Sequence, residues 1–388
     1  MKTRTLILAC CLITAVCGCR QDEDIVKSTP THVDDGSEST SAVAGFFLLN
    51  EGNMGSNKAS IDYYDTSTGI YTKNIYAERN PGVVQELGDV GNDMQVYGDK
   101  LYAVINCSHF VEVMNVNNAK HITQISIPNC RYIAFSGKYA YISSYAGPVQ
   151  IDPNARLGYV AKVDTATLQV VDTCNVGYQP DELVVSGNKL YVANSGGYKF
   201  LDYDNTVSVI DLNTFKEIKK IPVAINLHRL EADKHGNIYV SSRGDYYKQP
   251  SGTYILNTQT EQVDSTFSTL ANTEMTLSGD SLYLYGTEFS YITNSWNITY
   301  AILNTVTRKV VSRSFITDGT EKQIQMPYGI AVNPETKEIY VTDAKNYVTP
   351  GTLYCFTPKG TLKWSVTTGD IPAHFAFTHK KLKPLVNQ

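Results

Sequence analysis

Residues able to do chemistry recur in this sequence at the edges of short apolar runs. Asn92, Arg131, Tyr132, Asp181, His228, Arg229, Glu274, Tyr328 and His374 stand just where such a run begins. Asn50, Asn106, Tyr145, Asn194, Arg243, Tyr285 and Asp343 stand where the following run ends, and Tyr198, Tyr246 and Trp296 occupy the longer stretches after it. A set of amides, tyrosines and a few arginines converging on one mouth suits a bulky amphiphilic ligand, with rings supplying stacking area and polar groups supplying orientation. Catalytic signals are weak. The seven His are scattered without ligand spacing, and neither Cys-x-x-Cys nor Gly-x-Ser-x-Gly occurs. A metal-dependent propeller enzyme would need a carboxylate set at one point, for which Asp181, Glu274 and Asp343 are the candidates. Asp202-Tyr203-Asp204-Asn205 carries oxygen donors of the kind calcium takes and reads as a solvated loop. The expectation is a binding protein with no catalytic residue, no metal and no resident cofactor.

The elements that must position these residues form a repeat. A polar turn followed by an apolar strand returns as Gly98-Asp99-Lys100-Leu101-Tyr102, Gly137-Lys138-Tyr139-Ala140-Tyr141 and Gly187-Asn188-Lys189-Leu190-Tyr191. It continues as Gly236-Asn237-Ile238-Tyr239, Gly279-Asp280-Ser281-Leu282-Tyr283 and Lys337-Glu338-Ile339-Tyr340. Copies lie roughly 40 to 57 residues apart, the period of propeller blades. Each copy follows a short apolar strand such as Leu183-Val184-Val185. Each precedes a strand ending in an Asp/Asn-Thr turn, such as Asp211-Leu212-Asn213-Thr214, and then a fourth strand. Six copies are explicit. Gly45–Leu49 reads as a second strand lacking its first, and Ile371–Phe377 as a first strand with nothing after it, so the seventh blade is split between the chain ends. The sequence therefore predicts an all-β, seven-bladed β-propeller over residues 45–388, with four-stranded antiparallel blades closed by pairing the N- and C-terminal strands. The repeated tyrosines are expected to pack between blades. In this architecture the loops entering first strands and leaving second strands open on one face, which gathers the residues named above.

The surplus of strand and turn formers, with 27 Tyr against 12 Phe and 2 Trp, agrees with an all-β reading. A formal charge of -5 without a basic stripe excludes binding driven by nucleic-acid phosphates. Residues 1–18 join Lys2 and Arg4 to an apolar stretch too short to span a bilayer. They end before Cys19 in Val16-Cys17-Gly18-Cys19, which resembles a bacterial lipobox with Cys19 as the lipidated residue. The acidic Asp22-Glu23-Asp24 resembles a surface-export signal, and residues 19–44 read as a disordered tether. Cys107, Cys130, Cys174 and Cys355 remain in the mature chain, and a Cys107–Cys130 disulfide stands beside two free thiols as an alternative.

Lipobox, acidic run, tether and the Gly-Asn/Asp-Lys-Leu-Tyr-Val turns together resemble the surface cobalamin-binding propeller lipoproteins, the BtuG family, over essentially the whole mature chain. YncE-like propellers share the turns. The resemblance implies capture of vitamin B12 or other corrinoids on the loop-rich face and handover to a TonB-dependent outer-membrane transporter. It places the protein on the outer membrane, lipid-anchored and facing the cell exterior. Asn, Asp and Tyr would pair with corrinoid amides, and Arg131, Arg229 or Arg243 with its phosphodiester. Replacing the three arginines together is expected to weaken binding while leaving the melting temperature little changed. Two alternatives stay open: a glycan-binding accessory of a polysaccharide-uptake system, and a propeller lactonase or lyase.

Overall fold

The computed structural model describes residues 27–36, 42–84, 86–200, 202–290 and 293–385. The expected signal sequence, Cys19 and the acidic run lie outside the described residues. Strand pairing gives seven antiparallel sheets. Blade 1 joins Pro372–Thr378, Gly45–Asn50, Ser60–Asp65 and Ile70–Lys73; blade 2 is Gly91–Tyr97, Lys100–Ile105, Phe110–Asn115 and His121–Ser126. Blade 3 is Cys130–Ser136, Tyr139–Ser144, Tyr159–Asp164 and Gln169–Asn175; blade 4 is Pro180–Ser186, Lys189–Asn194, Thr206–Asp211 and Lys216–Pro222. Blade 5 is Leu227–Ala232, Asn237–Ser242, Gly252–Asn257 and Gln262–Phe267. Blade 6 is Glu274–Ser278, Ser281–Ser290, Ser295–Asn304 and Lys309–Ser312; blade 7 is Pro327–Val332, Ile339–Asp343, Pro350–Phe356 and Leu362–Asp370. The first strand of each blade packs against the first strands of its neighbours, so these seven strands ring the axis. Closure is as the split repeat required: Gly45–Asn50 pairs antiparallel with Pro372–Thr378, matching Phe46 to Phe377 and Leu48 to Phe375.

Second strands lie between sheet neighbours and between blades, which is why they are apolar without alternation. The recurring tyrosine of the second strand reaches the next blade in blades 2, 3, 4, 5 and 7. Tyr102 clusters with Ile133 and Ala140, Tyr141 with Leu183 and Leu190, and Tyr191 with Leu230 and Ile238. Tyr239 joins Met275 and Leu282, and Tyr340 meets Phe46 with ring centroids 4.9 Å apart. The turn before each second strand requires a left-handed residue. Glycine supplies it at Gly98, Gly137, Gly187, Gly236 and Gly279, while Lys337 adopts φ 61° in blade 7.

Three features depart from the sequence reading. Within the stretch expected to be a disordered tether, Thr29–His32 forms a fifth strand on the outer edge of blade 1, paired with Ile70–Lys73. An outer edge offers unpaired backbone groups that even a polar Thr-Pro-Thr-His segment can satisfy. Lys363 then bridges Asp34 and Glu338, fixing the segment to blade 7. The Trp296 region, read as a long loop, continues as a ribbon of Ser281–Ser290 and Ser295–Asn304, about twice the length of the first strand beside it. Finally, Cys107 and Cys130 are unbonded; the Cys130 thiol donates to the carbonyls of Ile105 and Phe110 instead. Burial pushes the Cys130 thiol up to about 12.

Candidate functional site

First strands enter the ring through a kink that aims their side chains. In blades 1, 2, 3, 4, 5 and 7 the pairing of first with second strand shifts register near the strand entrance, for example between Pro180 and Leu183 and between Leu227 and Leu230. The skipped residues include Asp181, His228 and Tyr328. A bulge bends the strand and re-aims a side chain. Hydroxyls of the second strand hold the bulges. Ser143 Oγ accepts the Tyr132 N–H at 3.1 Å and donates to the Asp181 carbonyl at 2.7 Å. Ser241 accepts the Arg229 N–H at 2.9 Å, and Thr342 accepts the Gly329 N–H at 2.7 Å while donating to the Pro372 carbonyl at 2.6 Å. Sequence reasoning missed these positioning residues. Their signal was a Ser or Thr one residue before the end of the second strand, in Tyr141-Ile142-Ser143-Ser144, Tyr239-Val240-Ser241-Ser242 and Tyr340-Val341-Thr342-Asp343.

The bulges of blades 3, 4 and 5 meet at one buried carboxylate. Asp181 is fully buried, with Arg131 Nε 3.3 Å from Oδ1 and Arg243 Nη1 2.9 Å from Oδ2. Tyr145 donates its hydroxyl to Oδ1 at 2.6 Å. His228 Nδ1 lies 3.1 Å from Oδ2 and 2.7 Å from Arg243 Nη2. Burial opposes the charge of Asp181, but Arg243, Arg131 and the His228 hydrogen bond overcome it and hold the carboxyl well below its usual range. Burial, then Arg243 and Arg229, drive the His228 imidazole well below its ordinary value, so it is neutral. Two guanidiniums therefore share one carboxylate, leaving one positive charge in excess. Neither is sealed off: the side chains of Arg131 and Arg243 are 13% and 27% exposed.

Aromatic groups frame this charge. The Arg131 guanidinium lies 4.7 Å from the Tyr145 ring centroid and that of Arg229 lies 4.9 Å from Tyr132, distances at which cation–π attraction acts. Tyr198 meets Tyr145 edge-on, and Tyr132 meets both His228 and His374 edge-on. On the far side of the ring, Glu51 accepts the Tyr328 hydroxyl at 2.8 Å and approaches His374 Nε2 at 3.3 Å. Arg229 is taken by acidic neighbours: Glu274 lies 2.5 Å from Nη2 and Glu182 3.9 Å from Nη1. Arg131 and Arg229 are thus largely buried ion-pair partners. This corrects the expectation that replacing all three arginines would spare the melting temperature, because it would strand Asp181 and Glu274.

Along the same inner wall burial, with help from Glu274, pushes the Glu231 carboxyl up to about 7. The folded state then binds a proton that the unfolded chain has released, so this group's contribution to stability is present below about pH 4.5 and is lost as pH rises to about 7. Between those limits the wild type should lose melting temperature as pH increases, with a shallower slope in Glu231→Gln, checked by thermal melts in matched buffers. Equal slopes would show that Glu231 does not hold its proton in the fold.

Several sequence-predicted residues hold the framework and do not face the mouth. Asn50, Asn106 and Asn194 are buried; Asn106 donates to Asn129 Oδ1 and the Cys130 carbonyl, Asn194 to Thr206 and Ser208 hydroxyls, and Asn50 to Ser60. Asp343 accepts the N–H groups of Gln325, Met326 and Lys345. Buried Tyr285 donates to the Tyr328 carbonyl, and Asn92 to that of Arg131 at 2.9 Å. Asp181, Glu274 and Asp343 are thus committed separately, and no group of three metal-holding side chains occurs among the described residues. Tyr246 and Trp296 line a cleft of about 850 Å³ that Arg243 also lines.

Comparisons with known proteins agree with this architecture. A family profile described as "Domain of unknown function (DUF5074)" matches residues 44–366. No curated protein sequence matches the chain. Among solved structures, a quinonprotein alcohol dehydrogenase-like protein from Bacteroides thetaiotaomicron is similar with a TM-score of 0.59 at 14% identity, over 87% of this chain and 78% of that one. The hydrazine synthase of Kuenenia stuttgartiensis gives 0.54 at 14% identity over 68% and 76%. A computationally designed protein, Ika8, gives 0.53 at 12% identity over 84% and 89%. At such identities the likeness is one of fold.

Proposed function

We propose that this chain, which belongs to the DUF5074 family, captures corrinoids on the loop-rich face of its propeller and catalyses no reaction. The observation that carries this reading is the pair Arg131–Arg243 sharing Asp181, with one unmatched positive charge on partly exposed guanidiniums among Tyr132, Tyr145 and Tyr198. A corrinoid carries one phosphodiester on a broad body edged with neutral amides. The unmatched charge suits the first, and the rings and amides of the mouth suit the second. The lipobox at Cys19 and the acidic run after it support a lipid-anchored location on the outer membrane, facing the cell exterior. From there the ligand would pass to a TonB-dependent outer-membrane transporter.

The direct test is gel filtration of the purified protein with cyanocobalamin, followed at a corrin absorption band. Co-elution of the chromophore with protein is expected. Arg243→Gln, which removes the more exposed of the two arginines, should weaken binding about tenfold, the size of one charge-assisted hydrogen bond. Elution of all the cobalamin at its own volume would end this reading.

A further inference from the structure

The recess between blades 5 and 6 shares Arg243 with the arginine cluster and adds aromatic walls of its own. Its volume of about 850 Å³ lies within the roughly 300–1,000 Å³ usual for small-molecule sites. One wall is the ribbon of blade 6, where Phe289 and Trp296 face each other across the two strands with ring centroids 5.5 Å apart. Trp296 is 49% exposed. The opposite wall is the loop after Arg243, which is rigidly made. Asp245 Oδ1 accepts the N–H groups of Tyr247, Lys248 and Gln249, all within 2.8 Å, and Tyr246 is held at φ 64°, a conformation an aromatic residue adopts only under constraint. That constraint presents Tyr246 to the recess at 58% exposure.

The polar lining carries both charges, Arg243 and Lys248 standing with Glu288 among neutral amides and hydroxyls. Glu288 accepts the Ser251 N–H at 3.2 Å through Oε1, leaving Oε2 without a partner among the described residues. Asn272 lines the recess, almost wholly buried. Its Oδ1 has no hydrogen-bond partner, and its Nδ2 reaches only the Met275 sulfur at 3.2 Å. Gln249, Thr273 and Thr287 add further polar groups to the lining. A carboxylate seeks hydroxyl donors, the Arg243 and Lys248 cations offer donors to hydroxyl oxygens, and exposed rings accept apolar C–H faces. A ligand with apolar ring faces and many hydroxyls on its rim meets all three demands. We infer that this recess binds a pyranose residue of a neutral oligosaccharide, its mixed charges favouring neither an anionic nor a cationic ligand.

The chain's two tryptophans make the test specific, because Trp364 is buried in blade 7 and Trp296 accounts for the emission open to acrylamide. The purified protein is titrated with maltohexaose, cellohexaose, xylohexaose and mannohexaose at millimolar concentrations while acrylamide quenching is measured. At least one should reduce the quenching slope by about half, and Glu288→Gln should bind it about tenfold more weakly. Cobalamin retention by Glu288→Gln should be unchanged, which separates failure here from failure of the corrinoid reading. Quenching unaltered by every oligosaccharide, or protection of equal strength in Glu288→Gln, would overturn the assignment.

Discussion

A chain that stops at Asp370 is expected to lose cooperative folding altogether. The deleted Pro372–Thr378 is the inner strand of blade 1, and without it the Gly45–Asn50 edge is left open toward the axis. Phe375 and Phe377 pack on Phe46 with centroids 5.5 and 5.8 Å apart and on Tyr340 at 6.0 and 6.1 Å, joining blade 1 to blade 7. Both rings are partly buried, so each is worth somewhat less than the roughly 1.5–3 kcal/mol of a fully buried side chain. The ladder adds about 1 kcal/mol per hydrogen bond. Together these approach the whole stability of a typical domain, about 5–15 kcal/mol. The exposed strand Gly-Phe-Phe-Leu-Leu-Asn is also a template for pairing with other chains. The truncated chain should therefore appear in aggregates and show no melting transition, and adding a synthetic 371–385 peptide during refolding should recover part of the native signal. A soluble monomer that melts like the full chain would mean that closure is made elsewhere.

That closure was legible because it depends on pattern. Phe46-Phe47-Leu48-Leu49 begins a repeat without its leading strand, and Phe375-Ala376-Phe377 ends one without a sequel, so the two fragments define each other. The tyrosines were legible for the same reason, each occupying one place in a repeated strand. What pattern could not convey was the direction of individual side chains at the strand entrances. Asp181 and Asn194 both sit at blade edges, yet the bulge after Pro180 turns Asp181 into an arginine cluster while Asn194 ties down its own loop. The bulge is held by hydroxyls from a different strand, and no single segment records that. Nor could local reading reveal that Arg131, from blade 3, and Arg243, from blade 5, would converge on a blade 4 carboxylate. The Trp296 ribbon was hidden differently: Thr, Ser and Asn residues suggested a loop, whereas pairing with an equally long partner strand keeps the segment extended.

The convergence on Asp181 sets the second large effect. Asp181→Ala should destabilise the protein by about 3–5 kcal/mol, the cost of leaving buried charges without their partner. Arg131 and Arg243 would face each other with only the neutral His228 and the Tyr145 hydroxyl between them, while the Ser143 bond to the residue 181 carbonyl would keep the bulge of blade 4 in place. The loss is electrostatic as well as steric, which permits a distinction by rescue. The removed carboxylate leaves a space bounded by two guanidiniums, and acetate supplies the missing charge and both oxygens. A ligand that binds only the folded state stabilises it by about 2.7 kcal/mol at a hundredfold excess over its Kd. Acetate should accordingly raise the denaturant midpoint of Asp181→Ala well beyond its effect on wild type, with chloride at equal ionic strength giving much less. Asp181→Leu, which fills the space, should be insensitive to acetate. If acetate and chloride act alike on Asp181→Ala, the cluster does not behave as an anion site even when vacated, and the unmatched charge on which corrinoid capture is argued has no binding consequence.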